Sequence, residues 1–129
     1  MIPWADYKAA ARERGALALE LYVVESVPVE PERLKDTLPA HLAYQAEQEA
    51  AGTLAFAGPL SDDSGEHMEG RGLIVYRAAS PEEARALADA DPMHAEGVRR
   101  YTLRRWLINE GSLRLDVRLS AQRVRLEGP

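Results

Sequence analysis

Two acid–base side chains, His41 and Asp91, stand where a helix would not normally place them. Asp91 ends a helix-like run, and an anion at the negative end of a helix is unfavourable by roughly 0.3–1 kcal/mol. His41 falls in what is predicted to be the first turn of another helix, where a cation is unfavourable to a similar extent. Both problems disappear if the two side chains face each other, so the sequence predicts a His41–Asp91 pair.

Such a pair predicts general acid–base chemistry. The positive end of the helix dipole would favour a neutral imidazole at His41, which leaves a lone pair for proton abstraction. Asp91 would accept a hydrogen bond from the other ring nitrogen, fix the tautomer and stabilise the imidazolium once it forms. Without catalysis, His41 would bond a backbone carbonyl and Asp91 would shape a turn before Pro92. No serine or threonine stands in a nucleophile motif, so covalent acyl chemistry is not indicated.

The elements that must bring the pair together follow an α+β order. The patterns predict helices over residues 3–14, 38–51 and 80–91 and strands over 16–27, 53–60, 73–78 and 99–109. After the first helix, the order matches the ferredoxin-like βαββαβ pattern. In that topology the start of one core helix and the end of the other lie at the same end of the sheet. The predicted fold therefore brings His41 and Asp91 to one end of the domain, together with His67 and His94.

Two helices carry explicit signals. The third predicted helix has Ser80 as its N-cap, Pro81 at its first position and Glu83 completing a capping box. Its apolar stripe of Ala84, Leu87 and Ala88 continues onto Asp91, which argues that Asp91 is buried with a partner. The helix over residues 38–51 is indicated by the spacing of Leu38, Leu42, Ala46 and Ala50, with Pro39 suited to its first turn.

The domain prediction also rests on the strands. The strand over residues 73–78 is apolar on both sides and needs cover on both faces. Residues 113–126 alternate and then change phase near Ala121 and Gln122, which predicts a bulge or a tight turn. We expect a single domain over residues 1–129, with a core at 17–110, an N-terminal helix at 3–14 and a C-terminal strand extension at 111–127.

Composition disfavours several classes of protein. The chain has 129 residues and suits one core. Its net charge is −5, with 16 basic and 21 acidic residues mixed along the chain, so nucleic acid and membrane partners are not expected. The absence of cysteine excludes disulfides, thiolate nucleophiles and thiolate zinc sites. No signal peptide and no membrane span is recognised, so a cytoplasmic location is expected.

Other polar groups have simpler interpretations. A metal site built on His41, His67 and His94 is not expected, because the three are scattered and ligand clusters usually show tight local spacing. The polar loop at residues 61–63 is expected to be solvated, although it could close over a ligand as a lid. The arginines of VRRYTLRRW are expected on the solvated face of a strand, with anion binding as the weaker alternative. No cofactor is implied, because no glycine-rich phosphate loop or dinucleotide fingerprint occurs.

Three blocks of the sequence, LPAHLAYQAEQEAAGTLAFAGPL, GLIVYRAASPEEARALADADPM and YTLRRWLINEG, resemble the YciI-like (YCII-related domain) family in order and spacing. The likeness covers about residues 17–110. It implies a ferredoxin-like fold and dimers whose sheets pack into an α/β barrel, which would cover the second face of the strand at 73–78. It also implies an active site with a histidine in the PAHL block and an aspartate in the DADP block, here His41 and Asp91.

The resemblance supports a site more firmly than a substrate, because most members of the family have no established reaction. A few related proteins act in aromatic degradation, as dehydrochlorinases or near the muconolactone isomerases. We expect a homodimeric enzyme with lyase or isomerase chemistry on small cyclic or aromatic acids. Tyr44, Gly58, Pro59 and His94 are the candidate substrate-binding residues. The alternative is a non-catalytic dimeric module that holds a small ligand in the same cleft. An enzyme needs His41 facing a cavity, whereas a binding module would bury it against other side chains.

Overall fold

Residues 1–128 are described by a computed structural model, and Pro129, the last residue of the predicted domain, lies outside them. The described chain divides into two units, residues 20–107 and the two ends, residues 1–19 with 108–128. In chain order the elements are α1 (Trp4–Glu13), β1 (Leu19–Pro28), a 3-10 turn (Pro31–Arg33), α2 (Leu34–Ala51), β2 (Leu54–Pro59), β3 (Gly72–Tyr76), α3 (Pro81–Ala90), α4 (Pro92–Ala95), β4 (Arg99–Ile108), β5 (Leu115–Arg118) and β6 (Arg123–Leu126). No helix within residues 1–128 has the length and hydropathy needed to cross a membrane.

The larger unit is built on a four-stranded sheet with the order β2-β3-β1-β4. The β3 strand runs antiparallel to both of its neighbours, β2 and β1. With α2 between β1 and β2, and α3 between β3 and β4, this is the ferredoxin-like arrangement. The predicted α+β fold class is therefore confirmed.

The core of this unit lies on one face of the sheet. Val24 pairs with Ile74 across β1 and β3, and together with Tyr76 and Ala88 they form one buried cluster. Strand side chains alternate between faces, so Val24 projects from β1 to the same side as its partner on β3. Each fully buried aliphatic or aromatic side chain stabilises the fold by roughly 1.5–3 kcal/mol relative to an exposed one. This packing fixes α3 against the sheet and so fixes the residue at its end, Asp91.

The α3 helix forms as its sequence predicts. The Ser80 hydroxyl accepts a hydrogen bond from the Glu83 amide at 3.1 Å. The Glu83 carboxylate accepts one from the Ala79 amide at 2.7 Å, one residue before the position expected for a standard capping box. Ala84 and Ala88 are fully buried, which confirms the predicted inward face.

The α2 helix differs from its prediction. It begins at Leu34, one turn before the predicted start at Leu38, and runs through Pro39. Proline is common at the first helical position, so Pro39 led to a predicted start that is too late. The turn before Pro39 is held by tertiary packing, because Thr37 in that turn is buried. The predicted stripe also faces outward, with Leu38 and Leu42 exposed by 40% and 53%. The inward side of the helix is polar and includes Thr37 and His41.

The β3 strand buries residues on both faces, although Leu73, on the same face as Val75, is only half-buried. Ile74 and Tyr76 point to one side and Val75 to the other, and all three are buried. The expectation that a single chain leaves the second face open is wrong at Val75, which is only 3% exposed. This burial occurs within one chain and needs no second subunit.

The unit formed by the two chain ends contains α1 and a two-stranded sheet. β5 and β6 pair antiparallel, with Leu115 opposite Leu126 and Val117 opposite Val124. The Gln122 amide bonds the Leu119 carbonyl at 3.2 Å and Gln122 has a φ of 52°. The change of phase in the sequence is therefore a tight turn, one of the two predicted forms.

Candidate functional site

His41 and Asp91, which are 50 residues apart in the chain, form a buried hydrogen-bonded pair. The Nδ1 atom of His41 lies 2.8 and 2.9 Å from the two carboxylate oxygens of Asp91. The two residues are 6% and 0% exposed. An ionised carboxylate can only accept hydrogen bonds, so Nδ1 carries the hydrogen and donates it. In the neutral ring the lone pair then lies on Nε2, as in the tautomer that a catalytic base requires.

Asp91 lies at a junction between two helices. It is the C-cap of α3 and also the N-cap of α4, and its Oδ1 accepts a hydrogen bond from the Met93 amide at 2.9 Å. The sequence pattern around Asp91 indicated only the unfavourable end of α3, and α4 was not predicted. An aspartate directly before a proline is a recognised helix-start signal, and Asp91–Pro92 could have revealed it. The carboxylate is therefore oriented by an amide on one side and by His41 on the other.

The predicted dipole effect on His41 is wrong. His41 is the eighth residue of α2, well beyond the first turn in which the dipole acts. Its tautomer and ring orientation come from the Asp91 carboxylate instead. The pairing was predicted correctly, but one of the two arguments for it does not hold.

His41 lines a cavity of about 190 Å³ in the larger unit. The residues that surround it are Ser26, Leu38, His41, Leu42, Gln45, Gly58, Pro59, Met68, Arg71, Gly72, Leu73, Ile74 and Arg99. A cavity of roughly 150 Å³ is known to hold benzene, so this one has room for a single six-membered ring with substituents. Its walls are mostly apolar with a few polar groups, as is usual for small-molecule sites.

Two of the candidate substrate-binding residues, Gly58 and Pro59, lie at this cavity. Tyr44 and His94 do not belong to its lining. The Tyr44 hydroxyl donates to the Leu87 carbonyl at 2.7 Å and so ties α2 to α3. Burial raises the pKa of Tyr44, with a further contribution from Asp91.

His94 holds a second, half-buried imidazole close to the pair. Its Nδ1 lies 2.7 Å from the Ala88 carbonyl, which can only accept, so Nδ1 carries the hydrogen. Its Nε2 then accepts from the Ser26 hydroxyl at 2.7 Å. Burial lowers the pKa of His94, which keeps the ring neutral, although the Ala88 carbonyl and Asp91 oppose this shift. Because Ser26 borders the cavity, His94 acts on the cavity wall through that hydroxyl.

The cavity lining contains positively charged side chains but no negatively charged ones. Arg71 and Arg99 belong to its lining, whereas no aspartate or glutamate does. Arg71 is paired with Glu25 at 2.8 Å. The Nε atom of Arg99 is buried without a hydrogen-bond partner. Arg99 was expected on a solvated strand face, and no local signal could have corrected this, because its surroundings depend on how β4 joins the sheet.

The loop between β2 and β3 forms its own polar contacts. His67 is mostly exposed and lies 3.4 Å from Asp62, outside the cavity lining. A hydrogen bond from the Ser64 hydroxyl is the main cause that lowers the pKa of Asp62. In the part of the chain that the structure describes, no three His, Asp or Glu side chains are grouped as a metal site would require. Met68 is the one residue of this loop segment, 61–70, that lines the cavity.

Comparisons with known proteins agree with this fold. A solved structure with the same architecture is 5-chloro-2-hydroxyhydroquinone dehydrochlorinase from Burkholderia phenoliruptrix in complex with 2,5-dihydroxybenzoquinone. The two are 22% identical with a TM-score of 0.51, over 67% of this chain and 92% of that one. No curated protein matches the chain. The model of the YCII-related domain matches residues 18–107, and the chain belongs to that family.

Proposed function

We propose that this protein is a small-molecule enzyme in which His41 is the general acid or base and Asp91 orients it. The observation that carries the proposal is the state of the His41 ring. Its Nδ1 is held by a buried carboxylate, while His41 is one of the residues that line a cavity. A histidine that served only packing would have no reason to border an open cavity with one nitrogen unbonded.

The arrangement suits proton abstraction from an acidic C–H group. Nε2 of His41 would take the proton, and Asp91 would stabilise the imidazolium that results. The electron pair left on the substrate would then expel a leaving group, which is a lyase reaction. Alternatively the proton would return to a different carbon, which is an isomerisation. Both routes need no group beyond the imidazole and its carboxylate.

The size and charge of the cavity support small cyclic or aromatic acids as substrates. About 190 Å³ accommodates one ring, and the arginines of the wall favour an anion. The dehydrochlorinase of similar fold acts, by its name, on a chlorinated hydroxyhydroquinone and was solved with a dihydroxybenzoquinone. That similarity makes compounds of this kind the first to test.

The test is a turnover assay with four proteins. Wild type, His41→Gln, Asp91→Asn and the control His67→Gln would be given chlorinated hydroxyhydroquinones and muconolactone, with chloride release and ultraviolet absorbance as readouts. We expect turnover that falls by about 10³-fold or more in the first two variants and is unchanged in the control, because His67 lies outside the cavity.

Two results would contradict this proposal. An undiminished rate in His41→Gln would remove His41 from the chemistry. Saturable binding of the same compounds without turnover by any protein of the set would favour the alternative, a non-catalytic module that holds a small ligand in this cavity.

We also propose that the protein is a homodimer, as the family resemblance implies. Phe56 and Trp106 lie on strands of the sheet and are about half exposed. Large exposed aromatic side chains are typical of protein interfaces. Light scattering on the purified protein should give twice the mass of the chain, and a monomeric mass at all concentrations would refute the dimer.

A further inference from the structure

Arg99 is a charged residue of the cavity wall, and the acid–base chemistry of the His41–Asp91 pair gives it no role. It belongs to the wall that also contains His41, and it is the first residue of β4, the edge strand that lies beside β1. It is partly buried, and its Nε atom has no hydrogen-bond partner. Buried donors are nearly always satisfied, so an unsatisfied guanidinium nitrogen at a ligand-sized cavity points to a partner outside the protein.

The electrostatic surroundings of Arg99 differ from those of the other arginine in the wall. Arg71 has its charge matched by Glu25 in a salt bridge. Arg99 forms no salt bridge within residues 1–128. The charge of Asp91 acts on it electrostatically, but that carboxylate is already hydrogen-bonded to His41 and to the Met93 amide. A guanidinium has five donors in a planar fork, which matches a carboxylate or another pair of anionic oxygens.

We propose that Arg99 is the anion-binding residue of this cavity and that the ligand is a monocyclic organic anion. Its guanidinium takes the carboxylate or ring oxyanion of the ligand, which holds the ring beside His41. This inference rests on the proposed function for its location but names a residue and a ligand class of its own. It also separates binding from chemistry: Arg99 selects and orients the anion, while His41 moves the proton.

The experiment compares two unreactive probes of equal shape and different charge, benzoate and benzamide, by isothermal titration calorimetry. Proton NMR of the His41 ring, in the same samples, reports whether the probe occupies this cavity. The proteins are wild type, Arg99→Gln, Arg99→Lys and the matched control Arg100→Gln. Arg100 is the next residue on β4, is exposed and lies outside the cavity lining, so its loss changes the net charge by the same amount.

We expect wild type and Arg100→Gln to bind benzoate about tenfold or more tightly than benzamide, because a hydrogen bond to a charged group accounts for that ratio. Arg99→Gln should bind the two probes within about twofold of each other. Arg99→Lys should keep part of the preference, since it retains the charge but not the fork. If Arg99→Gln does not fold, the wild-type ratio and the Arg99→Lys result still test the proposal.

Three results would overturn the inference. The first is equal affinity of wild type for the two probes, and the second is an unchanged preference in Arg99→Gln. The third is that neither probe binds or shifts the His41 signals. Failure of the proposed function looks different, because benzoate binding would then depend on Arg99 although no substrate is turned over or the rate survives His41→Gln.

Discussion

The helices α2 and α3 supply one half each of the His41–Asp91 pair, yet they turn very different faces towards the sheet. The inward side of α3 is apolar, with Ala84 and Ala88 fully buried before the stripe ends at Asp91. On α2 the buried residues are Thr37 and His41, while Leu38 and Leu42 are exposed and line the cavity. One helix is held by its core contacts, whereas the other presents a mixed surface of Leu38, His41, Leu42 and Gln45 to a cavity.

This difference separates stability from chemistry. The buried residues of α3, Ala84 and Ala88, contribute apolar surface to the core. Changes there should alter the free energy of unfolding and leave the chemistry intact. The buried residues of α2, Thr37 and His41, are polar, so changes there should alter activity first. Asp91 belongs to both categories, because it ends the apolar stripe and bonds His41.

The largest effect is expected for Asp91→Asn. The asparagine oxygen can keep the hydrogen bond from the Met93 amide, which places its NH₂ group where the second carboxylate oxygen now faces His41. That group would donate to Nδ1, move the ring hydrogen to Nε2 and remove the base. We expect turnover to fall by about 10³- to 10⁴-fold while α4 stays capped.

Nitrogen-15 NMR of the His41 ring checks this tautomer change directly. Asp91→Ala is the companion variant, because it also loses the side-chain cap of α4. Loss of this N-cap should lower the free energy of unfolding by a further ~0.5–2 kcal/mol. The separation of roles would fail if Asp91→Asn kept its rate within about tenfold of wild type or kept the wild-type tautomer.

The next largest effect tests the packed side of the comparison. Ala88→Leu adds three carbon atoms to a fully buried position between α3 and the sheet. Overpacking of this kind destabilises by about 1–3 kcal/mol, which urea unfolding would measure. The exposed control is Ala50→Leu on α2, which should change stability by less than about 0.5 kcal/mol. Equal losses in the two variants would mean that the two faces do not differ as described.

A smaller effect is expected for Ser80→Ala. The change removes the acceptor for the Glu83 amide at the start of α3 and should cost about 1 kcal/mol of unfolding free energy. Turnover per folded molecule should stay the same, because Ser80 lies at the end of α3 away from Asp91. A loss of turnover without a loss of stability would show that the start of α3 also positions the site.

The smallest effect concerns pH. Burial lowers the pKa of His94 below that of the unfolded chain, so between the two values the unfolded state binds more protons. The contribution of neutral His94 to stability is therefore complete above the unfolded pKa of about 6.5, and it is lost as pH falls through the lower pKa of the folded state. Urea unfolding between about pH 5 and 7.5 should show a steeper decline for wild type than for His94→Gln. Parallel curves would mean that His94 titrates as it does in the unfolded chain.

Sequence periodicity and capping signals were enough for the order of the four core strands and the two long core helices, for the fold class and for the burial of Asp91, but not for α4. The α3 helix is the clearest example, since Ser80, Pro81 and the stripe ending at Asp91 all act within a few residues of each other. Such short-range features can be predicted from sequence because they depend on local hydrogen bonds and on one face of one helix. The pairing of His41 with Asp91 was also predicted, from the position of Asp91 on its helix and from the ferredoxin-like topology, although the dipole argument for His41 does not hold.

Tertiary structure alone decided the rest. Packing extended α2 backwards past Pro39, which moved His41 out of the first turn and left Leu38 and Leu42 exposed at the cavity instead of packed in the core. Pairing of β4 with the sheet brought Arg99 into the cavity wall, although its own sequence suggests a solvated strand. These outcomes depend on which distant segments meet, and a pattern within one segment carries no information about its neighbours across the fold. The residue types set the chemistry that was possible, and the three-dimensional contacts selected which of them share a cavity.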